Sequence, residues 1–117
     1  MKTLEDLIPK LVEKTRDGSL SWSQGIGNDG YKTTFGKYRV DVWQWQDEDE
    51  TEGITVGLKI GDNATDFIDK VYYDTYSSRY SRLDDLYSMA RRSALKIDKI
   101  IEDVDVELDK TFGSLFD

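Results

Sequence analysis

Leu83, Tyr87, Ala90, Ala94, Ile97, Ile101, Val104 and Leu108 succeed one another at spacings of four and three without interruption, the repeat of a helix face buried along its length. Ser81 and Asp84 have the spacing of a capping pair, and no glycine or proline occurs between Ser81 and Gly113. The pattern therefore predicts one continuous helix from about residue 82 to 109. At 1.5 Å per residue such a rod is roughly 40 Å long, longer than a compact domain of this size is wide. It must overhang the rest of the fold or break.

The other elements read in order from changes of period. Leu4, Leu7, Ile8, Leu11 and Val12 share one helical face, Thr3 and Asp6 form a capping pair, and Asp17-Gly18 supplies a stop. A first helix over about 4–16 follows, with a kink expected at Pro9. After the glycine-rich stretch SQGIGNDG the period becomes two. Tyr31, Thr33 and Phe35 share a face, as do Tyr38, Val40 and Val42, and then Ile54, Val56, Leu58 and Ile60. Gly36-Lys37 and the acidic run DEDETEG supply the turns. Gly61-Asp62-Asn63 turns the chain again, and FIDKVYY, with blurred alternation, reads as a fourth strand. The expectation is one two-layer α+β domain spanning 1–117, a three- to four-stranded antiparallel meander packed by an N-terminal helix and a long C-terminal one.

Composition narrows the chemistry. The 117 residues include no histidine and no cysteine, which removes the commonest general base, the thiol nucleophile and the usual transition-metal ligands. The reading is of a protein without catalytic residues, cofactor or metal. A net charge of -8 and a pI near 4.5 repel phosphate backbones and anionic membranes and favour basic protein partners. No stretch has the length and apolarity of a membrane span, and the absence of cysteine suits a reducing compartment, so a cytoplasmic location is expected.

Three surfaces are candidates. On YRVDVWQW, Arg39, Asp41, Trp43 and Trp45 point away from the core face, and Trp43, Trp45 and Arg39 carry the side chains most enriched at binding hot spots. The structural alternative is an indole lying flat over Gly57 of the next strand. The stretch YYDTYSSRYSR offers Tyr72, Tyr76, Arg79, Tyr80 and Arg82, to which Arg91 and Arg92 are added as a site for a small anionic ligand such as a nucleotide. Against it stands a plain connection propped by tyrosines. The last helix carries five cations (Arg79, Arg82, Arg91, Arg92, Lys96) against two acids in its first part, and residues 98–117 carry seven acids against two lysines. That opposes the helix dipole, and suits an antiparallel homodimer with Ile101, Val104 and Leu108 at its interface. A merely solvated charged face is the competing reading. Leu86 and Ile100 widen the stripe, as for a helix lying on a sheet.

Other motifs carry less. Gly25, Gly27 and Gly30 fit G-x-G-x-x-G, but a strand follows where a dinucleotide fingerprint needs a helix. Asp47, Glu48, Asp49, Glu50 and Glu52 lack the spacing of a calcium loop. Asn63-Ala64-Thr65 is a formal glycosylation triplet without a secretory signal.

In sequence order, KTRDGSLSW, YKTTFGKYRVDV and LYSMARRSALKID resemble small acidic proteins of uncharacterised function met in bacteria and in their phages and mobile elements. The resemblance implies an accessory protein that binds and blocks a host or competitor factor, such as a component of a defence system. It transfers no functional residues. The alternative function is a nucleotide-binding or sequestering protein.

Overall fold

A computed structural model describes residues 1–25, 27, 29–61 and 66–113. Helix α1 (Leu4–Arg16) opens with the capping box read from the sequence. Asp6 N–H donates to Thr3 Oγ1 at 3.3 Å, and Thr3 N–H to Asp6 Oδ2 at 2.9 Å, so two otherwise orphaned donors are satisfied. Pro9 lies within the helix at an exposed position. The chain then forms β1 (Ser23–Gln24), β2 (Gly30–Phe35), β3 (Tyr38–Gln46), β4 (Glu52–Ile60) and β5 (Asp69–Asp74), followed by α2 (Tyr80–Leu95) and α3 (Ile97–Phe112).

The strands form one antiparallel sheet in the order β1-β2-β3-β4-β5. The α+β fold and the meander are as the period-two pattern predicts. The two-residue β1 is an addition. It lies in the glycine-rich stretch read as loop, and two exposed residues carry no hydrophobic period.

One face of the sheet receives α1 and α2. Val40, Val42, Ile54 and Val56 from the central strands meet Leu4, Ile8 and Leu11 of α1 and Leu83, Leu86, Tyr87 and Ala90 of α2. Val42, Ile54, Val56, Leu83 and Leu86 are completely inaccessible, and each such side chain contributes roughly 1.5–3 kcal/mol of burial. Trp22 ties the segment after α1 into this core. Its indole N–H donates to Thr15 Oγ1 at 2.9 Å, Thr15 Oγ1 donates to the Leu11 carbonyl at 2.7 Å, and the Trp22 backbone N–H donates to Ser93 Oγ at 3.0 Å.

The predicted continuous C-terminal helix is two helices. Lys96 stands between them at φ 53 and ψ 45, the left-handed region. Its N–H donates back to the Arg92 and Ser93 carbonyls, which closes α2, and α3 starts at the next residue. A non-glycine residue there costs roughly 1 kcal/mol or more. No glycine or asparagine marks the stop, so the break that the rod's length allowed for has no residue signal to locate it. The start also differs: α2 begins at Tyr80 with Arg79 as its cap and no capping side-chain bond, in place of the Ser81–Asp84 pair. Of the eight-residue stripe, Leu83, Tyr87 and Ala90 are buried and Ala94 packs against the core. Ile101, Val104 and Leu108 stand about half exposed. The Asp62-Asn63 part of the predicted turn and the Asn63-Ala64-Thr65 triplet lie outside the described residues.

Candidate partner-docking surface

The face of the sheet turned away from the helices is built from Lys32, Arg39, Asp41, Trp43, Trp45, Thr55, Lys59 and Lys70, aligned by the strand register. Arg39 grips Asp41 through two parallel bonds, Nε to Oδ1 at 2.6 Å and Nη2 to Oδ2 at 2.8 Å. Both residues are buried, as are Thr55 and Lys59. Phe67, arriving from the β4–β5 connection, lies over Gly57, where a Cβ would fall 2.5 Å from its ring. Its ring meets Trp43 at a centroid distance of 5.1 Å, with Lys59 Nζ 4.4 Å above it. The indole of Trp45 lies over Gly53. The expectation of an indole over Gly57 is thus corrected. Phe67 takes that place because its ring, just ahead of β5, lies back across the sheet, and Gly53 accommodates the tryptophan. Trp43 and Trp45 are half-buried within this small second layer and Arg39 is engaged by Asp41, so the face is largely closed by the chain's own residues.

The Tyr-Ser-Arg set divides in two. Arg79 and Arg82 converge on the Glu5 carboxylate, at 3.3 Å and 3.9 Å, and the Tyr73 hydroxyl donates to the same group. A carboxylate from α1 therefore offsets one of the two positive charges an anionic ligand would seek. The Tyr73 hydroxyl beside Arg79 and the nearby Glu5 charge hold the Arg79 guanidinium above its ordinary pKa. Tyr72 and Tyr76 are exposed and Tyr80 is half-buried. Burial, and the nearby Asp84 and Glu52 charges, raise the Tyr80 phenol. Arg91 and Arg92 lie three turns further along α2, about 16 Å from Tyr80, and Arg92 is paired with Asp98 of α3. These seven residues do not line one site.

The third candidate is free of such cover. Helix α3 meets α2 at their junction and contains no buried residue. It carries the chain out to a length of 60 Å and a radius of gyration of 17.3 Å, against about 13 Å for a compact domain of this size. The helical repeat sets Ile97, Ile101, Val104 and Leu108 in one ridge, with Ile100 and Phe112 widening it. Ile100, Ile101, Val104, Leu108 and Phe112 are 45–56% exposed. Asp103 and Glu107 border the ridge on one side, and Asp98 and Asp105 on the other. A shallow groove of about 300 Å³ runs between Ile100, Val104, Leu108 and Phe112, with Asp103 and Glu107 on its wall. Ile101, Val104 and Leu108, which the stripe places at an expected homodimer interface, stand exposed, as does Ile100, which the widened stripe places toward a sheet; Phe112 continues the same face.

An apolar depression of about 320 Å³ also opens beside α1, where Leu7, Leu11, Leu20 and Phe35 meet below Lys10 and Lys14. Among the described residues, no group of three or more acidic side chains is placed to hold a metal ion, and no helix is long and apolar enough to cross a membrane. No protein-family model matches this chain, and no curated protein and no solved structure matches it.

Proposed function

We propose that this chain is a non-catalytic interaction protein that engages a protein partner through α3, acting as a small bacterial or phage accessory protein that inhibits or regulates its target. The observation that carries this reading is the ridge of Ile100, Ile101, Val104, Leu108 and Phe112. Five large apolar side chains stand in water on an element that adds nothing to the core. A contiguous exposed apolar surface of this kind is a liability unless something covers it. An amphipathic helix laid into a groove is a recurrent way of covering one, with anchors at the same four-and-three spacing. The absence of histidine and cysteine supports binding over catalysis. The lack of cysteine and the acidic surface are also consistent with work in a reducing cytoplasm.

The test is capture by the full-length protein from a lysate of the organism that encodes it, comparing the wild type with Val104→Asp and Trp45→Ala. A species retained by the wild type and by Trp45→Ala but lost with Val104→Asp is the expected result. Equal capture by Val104→Asp would remove α3 from the function. Loss with Trp45→Ala alone would move the contact to the outer face of the sheet.

A further inference from the structure

We infer that the surface α3 takes is an apolar groove or helix flanked by lysine or arginine, and that the same helix is built against pairing with its own copies. This rests on the reading of α3 as the docking element and specifies the chemistry of what covers it. Six acids and two lysines lie on α3. The helical repeat puts Lys99 on the side away from the ridge, and among the described residues Lys110 reaches Glu107, at 4.0 Å. Both borders of the ridge are therefore acidic, Asp103 and Glu107 on one flank and Asp98 and Asp105 on the other. Arg92 answers Asp98 closely and Lys110 answers Glu107 at the limit of an ion pair, which leaves Asp103 and Asp105, with a weakly held Glu107, facing whatever lies on the ridge.

A second α3 laid on the first, in either direction, sets acid against acid at these borders, where facing charges select partners in paired helices. The basic half of the stripe offers no way out. Leu83, Leu86, Tyr87 and Ala90 of α2 are consumed by the core, so the antiparallel homodimer expected from the sequence lacks the apolar surface on α2 that it needs. The depression beside α1 has lysines above it, but Lys14 pairs with Asp17, and a second copy brings a further charge of -8 with it. An anionic membrane surface is repelled by the same field. A basic-rimmed protein surface satisfies the ridge and its borders together.

The experiment uses the full chain and two synthetic peptides, each of three heptads with isoleucine at a and leucine at d. One carries lysine at every e and g position and the other glutamate, and binding is followed by calorimetry at low and at high salt. The lysine peptide is expected to bind roughly tenfold or more tighter than the glutamate peptide. Its advantage should shrink as salt rises. Val104→Asp should abolish binding. The triple variant Asp103→Lys, Asp105→Lys, Glu107→Lys should turn the preference toward the glutamate peptide. Equal binding of the two peptides would overturn the charge selection while leaving α3 as a docking ridge, and binding of neither would overturn both. Concentration-dependent self-association lost in the Lys10→Glu, Lys14→Glu variant would also overturn the inference, by showing that a second copy covers the ridge.

Discussion

Arg39 and Asp41, two residues apart on β3, form a bidentate ion pair on the side of the sheet that the helices do not cover, with 8% and 1% of their surfaces accessible. Removing Asp41 takes the bidentate carboxylate away from a guanidinium that water barely reaches. Asp41→Ala is therefore expected to cost about 3–5 kcal/mol. Replacing both by leucine should cost much less than Asp41→Ala alone, because no buried guanidinium is left facing the gap where its bidentate carboxylate stood. Urea unfolding of the single and double variants measures both. Equal losses in the two would mean that the pair does not act as a unit.

The left-handed conformation of Lys96 leads to a second expectation. Glycine adopts φ 53 without the clash that a Cβ brings, so Lys96→Gly should stabilise the end of α2, by about 1 kcal/mol. A β-branched residue should do the reverse, and Lys96→Val is expected to destabilise by a similar amount or to favour straightening of the two helices into one rod. Thermal unfolding gives the sign, and a spin-label distance from α1 to α3 separates strain from straightening. If Lys96→Gly proved destabilising, the turn would be held by something other than the Lys96 backbone.

That residue also marks where reading the sequence stopped being sufficient. The heptad stripe identifies which residues of 83–108 share a face, and that much is right within each helix, from Leu83 to Ala94 and again from Ile97 to Leu108. Nothing in ALKID carries the chemistry of a helix stop, since the stop is a lysine in a conformation that glycine would take more readily. Without the break, the same stripe looks like one buried ridge, and Ile100 looks like core. The outer sheet face was equally hard to read. Alternation puts Arg39, Asp41, Trp43 and Trp45 opposite the core, but whether that side is wet depends on where Phe67 goes after a turn, and a strand pattern says nothing about a ring folding back across its neighbour. The meander and the capping box at Thr3 were legible because their signals are local.

Tyr87 gives a pH prediction. Burial, with the neighbouring Tyr31 and Asp29 adding to it, raises the Tyr87 phenol to about 12, above the unfolded value near 10. The folded state holds this proton where the unfolded state releases it. The associated stability is fully present below about pH 10 and is lost as pH climbs toward 12. Stability should therefore fall with pH across that interval, and the fall should be shallower in Tyr87→Phe, which keeps the ring against Tyr31 but has no proton to lose. Denaturant unfolding at a series of alkaline pH values provides the slopes. Identical slopes for the two proteins would assign the effect to other groups.

Core and α3 differ in what they contribute to folding, and truncation exposes the difference. Leu83, completely buried, should cost about 2–5 kcal/mol when cut back to alanine. Val104, half exposed on α3, should change stability by no more than about 0.5 kcal/mol. Extending the argument from one side chain to the whole element, a chain ending after Lys96 retains every residue of the hydrophobic core. It should still unfold in a single cooperative transition, with its midpoint within a few degrees of the full chain. In the full chain, a helix of 16 residues without a buried face is marginal in water, so amides of α3 should exchange with solvent far faster than those of α2. Slow exchange in α3 of the free monomer, or loss of cooperative unfolding on truncation, would mean that α3 belongs to the folded body, and the ridge of Ile100, Ile101, Val104 and Leu108 would lose its role as a surface kept open for another protein.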